Sequence, residues 1–448
     1  ILDNKKQIKI VLYSIIVSAT IIGLIGIGQY FGYDIFRTNF FRNLIMPNKY
    51  KSIAHMLDIE IDKYSIYSTL SNPNYVGSYM AMLFPLSIGL FISTNNLKKK
   101  IFFGFFSMLM FSNLLGSGSK AGYLGIIIGI FIFILLLRNS SNDIKKQILL
   151  LVLLLTLSAF GMFMAPQGTI SEKWYTLYNS DIGNIENEKI IKDIKYIDSG
   201  LEIKTNTEII KILLINDEIS FFDNSNQYLN LIQDNKNIKI DDNRYKDYNI
   251  KFIPTDNIVL LNKGNTEFRL IAIPEYGIRL LNYKGEVITD LDVEKCGFQG
   301  KEKFASSRGY IWSRTIPLLK STILIGHGPD TFVLHFPQND INGKYKIYGT
   351  DKILVNKPHN MYLQIAINTG LLSLACFISI IFIYSKSSIK SIKEEYTLNK
   401  NKILKSSIFT SIVSYLIAGI CNDSMVAVAP VFWTLLGIGI NLNEEKSL

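Results

Sequence analysis

Residues 358–384 read PHNMYLQIAINTGLLSLACFISIIFIY, a histidine and an asparagine set directly before an apolar run. From about Met361 to Tyr384 the run is long enough to cross a hydrocarbon core of about 30 Å. In front of it lies a polar segment, about 166–358. This stretch decides the fold class, because it describes a chain re-entering a bilayer after a large water-exposed excursion. It also puts an imidazole where that excursion meets lipid. Histidine is the side chain whose unperturbed titration falls between pH 5 and 8. His359 is therefore suited to proton chemistry on a substrate that is half lipid and half polar. The plainer reading is a histidine resting at headgroup level.

Similar apolar runs recur on both sides, at about 9–30, 75–93, 101–115, 121–137, 148–165, 406–420 and 426–441. With 48% hydrophobic residues and mean hydropathy +0.22, the chain is too apolar for a soluble protein of its 448 residues. It reads as mainly α: a polytopic transmembrane helix bundle of at least eight helices with a large extracytoplasmic loop. The organisation expected is helices 1–5 in 1–165, the loop in 166–358 and helices 6–8 in 359–448. The connections 94–100, 138–147 and 385–405 carry the clustered lysines, whereas the opposing turns 116–120 and 421–425 carry only Lys120. The positive-inside rule then puts the N-terminus in the cytoplasm and the large loop outside it. The net charge of +10 fits cytoplasmic Lys and Arg better than nucleic-acid binding. The opening Ile1-Leu2-Asp3 reads as a cut within a longer protein, with helices upstream. The abundance of Ile, Asn and Lys suggests a bacterial source.

The loop divides in two. Residues 185–295 show short β-type runs such as Ile209–Ile215 and Phe268–Ile273, with Asn282-Tyr283-Lys284-Gly285 as a hairpin turn. They predict a small all-β insert without histidine. Residues 303–358 carry Arg308, Trp312, Arg314 and the glycine-rich turn Gly326-His327-Gly328-Pro329-Asp330.

Several chemistries are excluded. The three cysteines are scattered, which rules out a disulfide scaffold and a Cys-rich zinc site. The four histidines, His55, His327, His335 and His359, show no paired metal-ligand spacing. There is no Walker A motif and no Gly-x-Ser-x-Gly, and no cofactor is called for. The spans are almost free of ionisable residues, which argues against a proton-coupled flippase or exporter. A metal-dependent lipid-linked glycosyltransferase of another fold is a second alternative, with Asp58, Glu60 and Asp62 as its acids.

Four separated stretches, in order, resemble the O-antigen ligase and O-antigen polymerase superfamily. His359-Asn360, nine residues, then Gly370 resembles its His-Asn-x9-Gly signature. Ser71-Asn72-Pro73-Asn74-Tyr75 resembles a stretch at the outer start of one of its helices. Gly116-Ser117-Gly118-Ser119-Lys120 resembles a Ser-Arg turn between two helices, here with lysine in place of arginine. Arg308 to Trp312, followed by Gly326 to Phe332, resembles the run in its main external loop. The β insert is not a common part of that loop.

The resemblance implies a membrane glycosyltransferase of the bacterial plasma membrane. Its donor is a polyprenyl-pyrophosphate-linked glycan, and its acceptor a hydroxyl on a glycan, lipid or protein. Such a donor holds its energy in the glycosyl–phosphate bond, so no nucleotide motif is needed. Cations are needed where charge develops on the departing pyrophosphate. Arg308 is the first candidate, with Lys120 and Arg314 as helpers and Asn360 and Asn72 as substrate-binding residues. His359 is the candidate base, and direct attack would invert the anomeric centre. Structural readings stand beside these: Asn72 as a helix cap, Lys120 as a snorkelling interfacial lysine, and Arg314 and His327 as local structure. Polymerase and ligase share this donor site and are not separated by it.

Overall fold

The computed structural model describes residues 5–56, 61–62, 64–138, 142–164, 191–234, 237–253, 257–264, 266–395 and 399–444. Asp58, Glu60, the opening residues and the first residues of the expected insert and loop lie outside this set. The chain divides into two compact units, one of Ile1–Leu177, His359–Ile365 and Leu372–Leu448, the other of Tyr178–Pro358 and Ala366–Leu371.

The first unit is a helix bundle. Among the described residues, five helices are long and apolar enough to cross a membrane: Lys6–Tyr30, Pro73–Ser93, Leu97–Ser117, Ile144–Phe163 and Leu371–Glu394. Lys120–Leu136 is apolar but has 17 residues. The eight spans read from hydropathy are therefore five by length and apolarity, with three further helices that are shorter or more polar. The Lys400–Ala418 helix shows why. Its Ser406, Ser407, Thr410, Ser411 and Ser414 are fully buried in the bundle, which lowers its apolarity without exposing it. The helices at the rim show the converse: Ile10, Val17, Ile21, Leu149, Leu153, Phe160, Phe382 and Ile383 are exposed. Bands of exposed aliphatic side chains of this kind suit lipid and not water.

The Pro73–Ser93 helix runs through the middle, buried over most of its length. Asn72 caps it, accepting from the Asn74 N–H, with Pro73 in its first turn. The turn into the next antiparallel helix is equally local: Gly118 is left-handed and Ser119 caps Lys120–Leu136 by accepting from the Gly122 N–H. These two helices cross in near contact. A Cβ on Gly122 would lie 2.8 Å from the Gly77 carbonyl oxygen, which only glycine allows.

The expected single span over 361–384 is broken. Met361–Thr369 is one helix and Leu371–Glu394 another, with Gly370 between them at φ +105°. A Cβ there would sit 2.7 Å from the Leu324 carbonyl oxygen. An apolar run with one glycine reads as continuous, and the break comes from a neighbouring loop that hydropathy does not see.

The second unit contains the expected β insert. Strands β1 (Ile191–Ile197), β2 (Gly200–Thr205), β3 (Ile209–Ile215) and β4 (Glu218–Phe222) form an antiparallel meander. Strands β5 (Leu231–Asp234), β6 (Asn237–Ile240), β7 (Tyr248–Ile253), β8 (Ile258–Lys263), β9 (Thr266–Ile273), β10 (Gly277–Leu281) and β11 (Val287–Ile288) form a second, also antiparallel. Period-2 alternation buries one face: Val259, Leu261, Phe268 and Leu270 from the larger sheet meet Leu201, Ile203, Ile210 and Ile212 from the smaller in one core. The Asn282–Gly285 turn is the expected hairpin, its Asn282 side chain accepting from the N–H groups of Lys284 and Glu286.

Residues 303–358 do not stand apart from the insert. Ile341 and Tyr345, on the Ile341–Tyr348 helix, complete the sandwich core. Lys346 on that helix pairs with Asp193 of β1 at 2.8 Å. Burial alone would raise the Asp193 carboxyl, but Lys346, Asn342 and Lys195 outweigh it and hold the pKa down to about 2.

Candidate functional site

His359 opens the last part of the chain in a left-handed conformation, φ +50°, which costs a residue with a Cβ on the order of 1–2 kcal/mol. Asn360 explains how it is held. Its side-chain oxygen accepts from the N–H groups of Tyr362 and Leu363, capping the helix that follows, and its Nδ2 donates to the Ile420 carbonyl. The Met361 N–H donates to the Gly419 carbonyl at 2.8 Å. Asn360 is thus committed to the fold, and what it does is fix the residue before it.

The turn after the Lys400–Ala418 helix supplies the partner that the sequence reading missed. His359 Nδ1 lies 2.8 Å from Oδ2 of Asp423, a carboxylate with no exposed side-chain surface. The contact joins the imidazole through Nδ1 and leaves Nε2 outside it. The imidazole is 38% exposed. The ring is tethered through one nitrogen and keeps part of its surface exposed.

Residues on either side of Asp423 lock the turn. Asn422 Nδ2 donates to the Asn74 carbonyl and to Ser78 Oγ, at 3.1 and 2.7 Å. Gln364 exchanges two hydrogen bonds with the Ser424 backbone. The Asn72–Tyr75 stretch and the His359–Asn360 pair, almost 290 residues apart in the chain, therefore meet through one turn. Asn72 itself acts as the helix cap described above. Lys120 is exposed at the first position of its helix, close to the Gly77–Gly122 crossing and so at the same end of the bundle.

Arg308 and Arg314 belong to the second unit. Three consecutive left-handed residues, Ala305, Ser306 and Ser307, precede Arg308. Arg308 is half-buried, and its Nη1 donates to the Ala305 carbonyl at 2.9 Å. It lies near Tyr348, whose phenol burial lifts to about 12 against the pull of the Arg308 charge. Arg314 is different: buried, stacked on the Tyr310 ring, with Nε 2.9 Å from Oδ2 of the equally buried Asp340. Asp340 also caps the Ile341–Tyr348 helix through the Gly343 N–H. Removing either partner would strand a buried charge at a cost of roughly 3–5 kcal/mol, so this position is that of a structural cation. His327 stacks on His335 at 3.7 Å, with Nε2 3.0 Å from Ser321 Oγ. Burial, then His335, lowers its imidazole pKa. Trp312 Nε1 donates to the Pro358 carbonyl, which fixes that end of the loop. Among the described residues no group of three or more His, Cys, Asp or Glu side chains is placed to hold a metal ion.

One signal for Asp423 was present in the sequence. It is the lone acid in the short 421–425 turn, between two apolar runs. An acid in that setting marks a functional position by default, but nothing in the order of residues says which histidine it meets.

Apolar helices long enough to cross a membrane, with a His–Asp pair among them and a β-rich excursion, suggest a membrane protein. Residues 240–378 match the family model described as O-Antigen ligase. The match supports the O-antigen ligase and polymerase superfamily, and with it membrane glycan processing by a glycan-transferring enzyme. It covers less than a third of the chain and begins at the last residue of β6, inside the insert. Arg308, Arg314, His359, Asn360 and Gly370 fall within it; Asn72, Lys120 and Asp423 fall outside. No curated protein and no solved structure matches the chain.

Proposed function

We propose that this protein transfers a glycan from a polyprenyl pyrophosphate to an acceptor hydroxyl on the outer face of a bacterial plasma membrane. The observation that carries the reading is His359 Nδ1 bound to buried Asp423, with the imidazole itself partly exposed. The acceptor oxygen attacks the anomeric carbon, and its proton passes to His359 Nε2. The bond from that carbon to the pyrophosphate oxygen breaks, and its electron pair leaves with the polyprenyl pyrophosphate. Attack opposite the leaving group inverts the anomeric configuration. Asp423 holds the tautomer and offsets the charge of the imidazolium that forms, a positioning role. Arg308 is assigned to the charge that develops on the pyrophosphate, and exposed Lys120 to a supporting cationic role. The placement of lysines supports an external large loop.

The test is transfer by the purified protein from a polyprenyl-pyrophosphate-linked oligosaccharide. His359→Gln should fold and bind donor but transfer at least about 100-fold more slowly, since an amide cannot take the proton. Wild-type rate should fall on the acid side as the imidazole becomes protonated. A His359→Gln protein working near the wild-type rate would remove the base and this mechanism. Product ladders from the donor alone would make it a polymerase; a strict need for a second acceptor would make it a ligase.

A further inference from the structure

The β insert holds a feature that the transfer chemistry does not use. The turn between β2 and β3 separates two adjoining clefts of about 430 and 560 Å³, each within the size range of small-ligand sites, roughly 300–1,000 Å³. Thr205, Asn206 and Thr207 form the shared wall. The turn is rigid: Thr205 Oγ1 accepts from the N–H groups of Thr207 and Glu208, and its own N–H donates to the Glu208 carbonyl. Lys192, Lys204 and Arg244 line one cleft and Lys239, Lys246 and Lys263 the other, against two acids, Glu208 and Asp247.

That concentration runs against the charge of its surroundings. Residues 191–288 contain thirteen Lys and Arg but fifteen Asp and Glu, so the insert as a whole is slightly acidic. Two of the six cleft cations are neutralised in place, Lys263 by Glu208 and Arg244 by Asp223 and Asp242. Among the described residues Lys192, Lys204 and Lys246 form no ion pair, and all three are exposed. A cleft lined by one sign of charge focuses the field and concentrates counter-charged ligands. The hydroxyls and amides of Thr205, Asn206, Thr207, Asn224 and Asn249 provide neutral hydrogen-bonding groups between the cations.

We infer that the paired clefts around Thr205–Thr207 bind an acidic polysaccharide, its carboxylates or phosphates on Lys192, Lys204 and Lys246 and its hydroxyls on the turn. Two clefts sharing one wall suit a linear chain passing over the turn better than one small anion. This rests on the glycan-transfer reading for its ligand class, but the binding is separable from the reaction.

The experiment uses the full chain in nanodiscs and measures binding of four probes: oligogalacturonate, oligomeric poly(glycerol phosphate), neutral dextran and poly-glutamate. One or both acidic polyhydroxy polymers should bind, more weakly as salt rises, and the pair distinguishes carboxylate from phosphate as the recognised anion. The triple variant Lys192→Gln, Lys204→Gln, Lys246→Gln should lose at least about ten-fold in affinity, equivalent to about 1.4 kcal/mol. A matched triple away from the clefts, Lys251→Gln, Lys284→Gln, Lys295→Gln, should bind as wild type. Equal loss in both triples would reduce the effect to bulk charge and overturn the site. So would failure of both acidic polyhydroxy polymers to bind, unchanged affinity in the cleft triple, or equal binding of dextran or poly-glutamate. Repeating the titration with His359→Gln separates the two ideas: that binding should persist there whether or not His359 proves to be the base.

Discussion

At the scale of single residues, the proposed chemistry rests on His359 and Asp423, and only His359 was singled out from the sequence. His359 stands out because an imidazole at the start of an apolar run has few reasons to be there. Asp423 is 64 residues away, and its pairing exists only once two helices have packed. Asp423→Asn keeps the shape but removes the charge and puts an NH2 donor in place of one oxygen, so the imidazole tautomer is no longer selected. Transfer should fall on the order of 100-fold while donor affinity stays near wild type. An Asp423→Asn protein with an unchanged transfer rate would reduce the carboxylate to packing. Arg314 had two readings in the sequence, a helper cation and local structure, and its buried partner Asp340 was not visible there.

At the scale of elements, local rules explain the boundaries and tertiary contacts explain the exceptions. Asn72 with Pro73, and Gly118 with Ser119, could be read as start and stop signals because capping is a matter of neighbours. The break at Gly370 could not, since it depends on a loop more than 40 residues earlier reaching that backbone. The joint between β1 and the Ile341–Tyr348 helix gives a pH prediction. Asp193 is held at a depressed pKa of about 2, below the unfolded value of about 3.9. The stabilisation is therefore present above about pH 4 and lost as pH falls toward 2. Partial exposure reduces the effect to about 1–2 kcal/mol. The melting temperature of the β signal, followed by circular dichroism, should drop between pH 4 and 2. It should drop less in Asp193→Asn; an identical slope in both proteins would show that other carboxylates control it.

For the whole molecule, the helix bundle and the β insert were both legible, because each rests on a period in the sequence, one of apolar length and one of alternation. The shared core of insert and loop was not, since Ile341 and Tyr345 carry no mark of the strands they meet. Orientation is the prediction that belongs here. With Cys296, Cys376 and Cys421 replaced by serine, a single cysteine at Asn226 should react with a membrane-impermeant maleimide in intact cells. A cysteine at Lys393 should react only after permeabilisation. The reverse pattern would move the large loop to the cytoplasm and end the proposal for an external reaction.

The turn at Asn422–Ser424 has a consequence for biogenesis. It grips the beginning of the Pro73–Ser93 helix with one residue and the imidazole with the next, so the imidazole is set only when that helix and the turn have both arrived. A polypeptide still emerging from the insertion machinery contains His359 before it contains Asp423. On the proposed mechanism, a nascent chain would be inert toward its donor until the Asn422–Ser424 turn had been made and inserted.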